Sequence, residues 1–189
     1  RATLALRLGG ALILGALLNQ IYSGFGLLQQ PSQMLWQPDG PVDDSLSGWA
    51  ASQLETFAWI FVIIFTLMAV LQLLRLLGIE KLIHALLYPI LRLLGIGKSA
   101  ANVAVIGVVL GLTFGAGLLI KEANSGQLSR KDIFLTLGFL GLCHSVIEDT
   151  MLVLLLGADL SGILWARILF ALVVIGVLAR LPMVKNRLE

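Results

Sequence analysis

Apolar runs too long to be buried in an ordinary water-soluble core constrain this chain more than any other feature. Thr3 to Leu28 carries one charge, Arg7, and Ala50 to Leu77 carries only Glu55 and Arg75. A helix crosses the ~30 Å hydrocarbon core of a bilayer with roughly 20 apolar residues, so each run can span, the longer ones with tilt. Backbone polar groups in lipid must be bonded inside the protein, which leaves helices and closed barrels. No series of short alternating segments suggests a barrel. Composition agrees: 13% of the residues are charged and 58% hydrophobic, against ~25% charged in soluble domains. The expectation is an all-α integral membrane protein with about four transmembrane helices, a cytoplasmic interfacial amphipathic helix and a re-entrant helical hairpin. Five full spans are the alternative.

Basic residues set the expected orientation. None occurs from Leu8 through Leu74, so the loop at 29–48, with Asp39, Asp43 and Asp44, is expected outside. The flanks Arg1, Arg7, Arg75 and Lys81 are then cytoplasmic, and the tail Arg180, Lys185 and Arg187 returns to that side. Both termini of a multi-pass protein of a bacterial inner membrane are expected in the cytoplasm. The first run lacks a small-residue cleavage site after a short core, so it reads as a span of a mature or trimmed protein rather than a secretory leader. The formal net charge of +2 is small and its basic residues flank apolar runs, which argues for topology and against nucleic-acid binding. Lipid is the expected surrounding.

Residues 1–78 thus hold two N-terminal transmembrane helices, and 79–189 a second region with four expected parts. At 79–96, Lys81, His84, Tyr88 and Arg92 form a polar stripe opposite leucines and isoleucines, the pattern of an interfacial helix, with a kink expected at Pro89. His84 reads as a solvated stripe residue. The apolar segment 99–127 would place Lys121, Arg130 and Lys131 outside if it spanned. A re-entrant hairpin avoids that, with arms Ser99–Gly111 and Ala116–Gln127 and a tip at Leu112–Gly115. Ser129-Arg130-Lys131-Asp132 resembles a capping box opening a helix over 130–156, and the last span covers 161–181.

Inside the helix over 130–156 sits a polar cluster, Cys143-His144-Ser145 followed by Glu148-Asp149-Thr150. Polar groups at that depth mark function by default. Ser145-x-x-Glu148 reads as a second capping box, so a helix is expected to restart in mid-membrane. If the following turn centres near Ala158, Asp149 and Arg167 lie nine residues to either side and at similar depth. Asp149 or Glu148 is therefore the expected partner of Arg167 in a structural ion pair. His144 and Glu148 stand four apart and are weak metal candidates, without a CxxC or HExxH pattern to support them. The lone Cys143 reads as a packing residue. No catalytic set or phosphate loop is recognisable, so an enzyme and a bound cofactor are not expected.

The segments Gly138-Phe139-Leu140-Gly141-Leu142-Cys143-His144-Ser145-Val146-Ile147-Glu148-Asp149-Thr150 and Gly111-Leu112-Thr113-Phe114-Gly115-Ala116-Gly117 resemble the nucleoside-recognition, or Gate, membrane-domain family. That family includes spore maturation proteins, and similar regions occur in ferrous-iron transport protein B and in concentrative nucleoside transporters. The resemblance covers roughly Leu76 to Leu181 and makes 79–189 similar to half of a transporter core. It implies that the hairpin tip at Thr113 and the break at His144, Ser145, Glu148, Asp149 and Thr150 line a path for a small solute or cation. It also implies a homo-oligomer or a second Gate-family partner. A nonconducting assembly subunit, whose polar cluster only locks helices together, is the rival expectation.

Overall fold

The computed structural model describes residues 2–28, 32, 45–182 and 184, and only the backbone of Arg75, Glu80, Leu110, Leu112, Thr113 and Phe114. Most of the loop at 29–48 and the tail residues Lys185 and Arg187 lie outside the described residues. The described chain forms α1 (Ala2–Gly24), α2 (Leu46–Leu76), α3 (Ile79–Leu93), α4 (Lys98–Leu110), α5 (Leu112–Asn124), α6 (Arg130–Leu142) and α7 (Val146–Leu155). A π-helical turn, Ser161–Ala166, then leads into α8 (Arg167–Arg180). Among the described residues four stretches are long and apolar enough to cross a membrane: Ala2–Gly24, Leu46–Leu74, Arg130–Leu155 and Ser161–Arg180. This is an all-α membrane protein.

The segment 99–127 is not a straight helix. Gly111, with φ 89° and ψ 170°, occupies backbone space that only glycine enters readily, and it separates α4 from α5. Each has 13 residues, which at 1.5 Å per residue is about 20 Å and too short for the hydrocarbon core. The two fold back on each other. A Cβ on Gly115 would stand 2.6 Å from the Gly107 Cα, so the backbones touch near the turn. At the open end Ser99 Oγ donates to Glu122 Oε2 at 3.2 Å. The expected four-residue tip contracts to Gly111, and Leu112 already begins α5.

This hairpin lies in the centre of the apolar core rather than at its edge. Ala100, Ala101, Ala104 and Val105 of α4 are buried against Leu87 and Leu91 of α3 and Leu135, Phe139 and Leu140 of α6. Small side chains let the helices approach closely where lipid offers no hydrophobic drive of its own. The polar stripe of α3 is partly tied down, since His84 Nε2 shares a 3.2 Å hydrogen bond with Asn102 Oδ1 and stacks on Tyr88. His84 is thus not only solvated. Arg92 donates to the Ile96 carbonyl at 2.8 Å.

At the start of α6 Ser129 caps the helix as its spacing predicts, and its hydroxyl bonds the Asp132 carboxylate. The Asp132 N–H donates to Ser129 Oγ at 3.0 Å, while Ser129 Oγ donates to Asp132 Oδ2 at 2.9 Å. Asp132 Oδ1 also accepts the Gly97 N–H at 2.6 Å, which ties the head of α6 to the head of α4. Lys98 and Arg130 stand at these two helix heads, Lys121 beside the Ser99–Glu122 bond and Arg180 at the end of α8, just past Gly176, which packs on Leu94, so the four lie at one end of the bundle.

Candidate functional site

The helix over 130–155 breaks at Cys143, His144 and Ser145. The last regular bond of α6 runs from the Cys143 N–H to the Phe139 carbonyl at 2.8 Å. Ser145 then takes a left-handed conformation, φ 46° and ψ 41°, before α7 begins at Val146. Such a conformation is uncommon for a residue with a Cβ and clusters at functional sites. The break falls about half way along the membrane-length stretch.

Two expectations change here. Ser145 does not cap α7 through its side chain, so the Ser145–Glu148 capping box is absent. Its Oγ instead lies 2.7 Å from where a Cβ of Gly111 would stand, so the turn of the hairpin and the break in the spanning helix press on each other. His144 precedes α7 while Glu148 is inside it, so the two do not share one helical face. Among the described residues no three of His, Cys, Asp or Glu converge as a metal group.

Arg167 knits the break together. Its Nε donates to the Leu142 carbonyl, Nη2 to the His144 carbonyl, and Nη1 and Nη2 both reach Asp149 Oδ2, all at 3.1 Å. A helix end leaves its last carbonyls without intrahelical donors, and here a cation supplies them. Asp149 is the ion-pair partner, at 3.1 Å. Glu148 is not bonded to Arg167 and faces outward.

Beside the break is a cavity of about 740 Å³, walled by α1, the break, α7 and the start of the last span. His144, Asp149, Thr150 and Arg167 line it, together with Arg7, Tyr22 and Asp159. Ser145 and Glu148 are not on its wall. The Thr113 side chain lies outside the described residues, and its backbone is in the first turn of α5. His144 Nδ1 and Thr150 Oγ1 are buried without a hydrogen-bond partner, a state that buried polar groups rarely adopt. At the far end Tyr22 and Ser161 hydroxyls meet at 2.7 Å. Ser161 donates its N–H and hydroxyl to Asp159, which holds that carboxyl below the ordinary aspartate range.

The contribution of α1 is not among the expectations from sequence, which place Arg7 on a cytoplasmic flank. Leu6 packs at Gly138, the Arg7 Cβ stands 3.7 Å from a notional Cβ on Gly141, and Gly10 meets Leu142. Helix α1 therefore runs parallel to α6 and carries on past the break. Arg7, Gly10, Ala11, Leu14, Leu18 and Tyr22 face the cavity at helical spacing. That stripe, with a cation at one end and a phenol at the other, is the signal that was available.

The chain is similar to the uncharacterized membrane protein YvoD of Bacillus subtilis (strain 168), 32% identical over 174 residues. The match takes in 87% of this chain and 54% of that relative, so the chain spans about half the length of the protein it matches. No family model and no solved structure matches it. A membrane-protein relative and four membrane-length apolar stretches mark a multi-pass membrane protein.

Proposed function

We propose that this chain is a small transporter or transporter subunit whose cavity beside the broken helix holds a small solute or cation. The observation that carries the reading is the pair of unpartnered polar atoms, His144 Nδ1 and Thr150 Oγ1, on the wall of that cavity. Each would cost ~1–3 kcal/mol if left unsatisfied, and a ligand or water in the cavity removes that cost. Broken helices that line a cavity are how many transporters build sites at membrane depth. The contact between Gly111 and Ser145 supports the Gate-like resemblance, since both breaks then border one region. His144, Asp149, Thr150 and the backbone around Thr113 are the residues we assign to the path.

Full-length protein in proteoliposomes provides the test, with uridine, butyrate and manganese as probes. His144→Ala is expected to reduce flux of the transported probe about tenfold while shifting the melting temperature little. A specific observation favours the rival scaffold reading: all four hydrogen bonds of Arg167 go to protein groups that lock the break. A scaffold predicts the opposite result, lost stability and no flux of any probe.

We place the protein in a bacterial inner membrane with both termini cytoplasmic and α4–α5 re-entering from that side. The gathering of Lys98, Lys121, Arg130 and Arg180 at one end supports this orientation. Cys143 is buried, so Ser125→Cys provides a distinct reporter. An impermeant maleimide is expected to label it from the cytoplasmic side, and labelling from outside alone would reverse the assignment. A second copy or a Gate-like partner completes the core in this reading, because Glu148 faces outward at a depth where a bare carboxylate is costly. Native mass spectrometry in mild detergent tests it, and a fully active monomer would exclude it.

A further inference from the structure

The charges on the cavity wall, Arg7, Arg167, Asp149 and Asp159, balance in number but not in place. Arg167 is paired with Asp149 and bonded to two carbonyls. Asp159 sits at the Tyr22 end, where Ser161 holds it. Tyr22 is fifteen residues beyond Arg7 on α1, which is about 22 Å at 1.5 Å per residue. That acid is too distant to neutralise Arg7, and no hydrogen bond or ion pair to Arg7 forms among the described residues. Yet Arg7 stands against Gly141, one turn from the level where Gly10 meets Leu142, and it lines the same cavity as His144 and Thr150.

We propose that Arg7, Thr150 and His144 form the binding site of a small monocarboxylate with an apolar body. This names the ligand class of the cavity and rests on that cavity being a solute site. A guanidinium presents paired N–H donors that match the two oxygens of a carboxylate. The Thr150 hydroxyl, on a side chain 7% exposed and without a partner, supplies a third donor, and His144 Nδ1 a fourth when it carries the proton. One uncompensated cation matches one negative charge, so a dianion such as hydrogen phosphate would leave net charge in a low-dielectric setting. Ala11, Leu14, Val153 and Phe170 on the remaining wall offer the carboxylate's alkyl or aromatic portion an apolar surface.

Calorimetric titration of the full chain in zwitterionic nanodiscs tests this with butyrate, its neutral isostere butyramide and inorganic phosphate. Butyrate is expected to bind more tightly than either. Arg7→Gln should weaken it about 10- to 100-fold, while Lys81→Gln, which removes a cation outside the cavity, changes affinity less than about twofold. If Arg7→Gln fails to fold, Arg7→Lys replaces it and should show an intermediate loss, because it keeps the charge and loses the fork. Absent butyrate binding, equal binding of butyramide, tighter binding of phosphate or an unaffected Arg7 variant would overturn the proposal. Flux of uridine or manganese without butyrate binding would overturn the carboxylate site and leave transport standing. Butyrate binding that depends on Arg7, with no flux of any probe, would keep the site and remove transport.

Discussion

Arg167→Gln is expected to destabilise the protein by about 3 kcal/mol, more than the double replacement with Asp149→Asn does. The single change strands the Asp149 carboxylate and withdraws the donors that serve the Leu142 and His144 carbonyls. In the double variant the carbonyls still lose their donors, but no unpaired charge remains. Asp149→Asn alone should be the mildest, at about 1–2 kcal/mol, since Arg167 keeps both carbonyl partners and an amide oxygen can still accept. The figure for Arg167 is taken at the low end of the range for a broken pair because the two side chains keep 21% and 37% exposure. A double-mutant cycle by thermal unfolding in mild detergent measures the coupling. Purely additive effects would mean that the Arg167–Asp149 pair itself contributes nothing to stability.

The second large effect is expected from one methyl group. Gly115→Ala would place its Cβ 2.6 Å from the Gly107 Cα. That neighbour is backbone and cannot rotate away, so α4 and α5 must part, at a cost of about 3 kcal/mol. Gly107→Ala chiefly meets the Leu140 methyl groups, at 2.5 and 2.9 Å, and backbone only at 3.3 Å, so a side chain rather than a helix must give. It should be distinctly milder. Gly117→Ala meets nothing within 4 Å and should be neutral or stabilising by up to about 1 kcal/mol. Thermal unfolding of the three variants gives the ranking, and a Gly115→Ala protein as stable as the wild type would show that the hairpin is not held at contact distance.

The fold was legible where the signal is local. Run length marks the four membrane-length stretches, Ser129 through Asp132 spells the cap that forms, and a dense set of glycines at 107, 111 and 115 permits the folded-back pair. The pairing of Arg167 with Asp149 rather than Glu148 was not legible. Counting residues from a turn gives depth, but the side of α7 that faces α8 depends on how the chain leaves the break. Ser145 illustrates the same limit, because its capping pattern is a local preference that packing against Gly111 overrides. The wall formed by α1 was hidden for a further reason. Apolar residues in a spanning helix face lipid and protein alike, so hydrophobic pattern does not tell the two sides apart. Only the spacing of Arg7 and Tyr22 carried that information.

The π-helical turn Ser161–Ala166 ends immediately before Arg167. Each residue advances an α-helix by about 100°, and a π turn accommodates more residues per turn than an α turn. The azimuth of Arg167 is therefore fixed by the number of residues following the Asp159 corner and only weakly by their identity. Removing one of them would relax the turn toward an ordinary α-helix and swing the guanidinium about 100° around the axis, away from Asp149 and the Leu142 carbonyl. The segment acts as a phase-setter for the last helix. It should tolerate replacement among apolar residues and reject insertions and deletions, a pattern opposite to that of an ordinary surface loop.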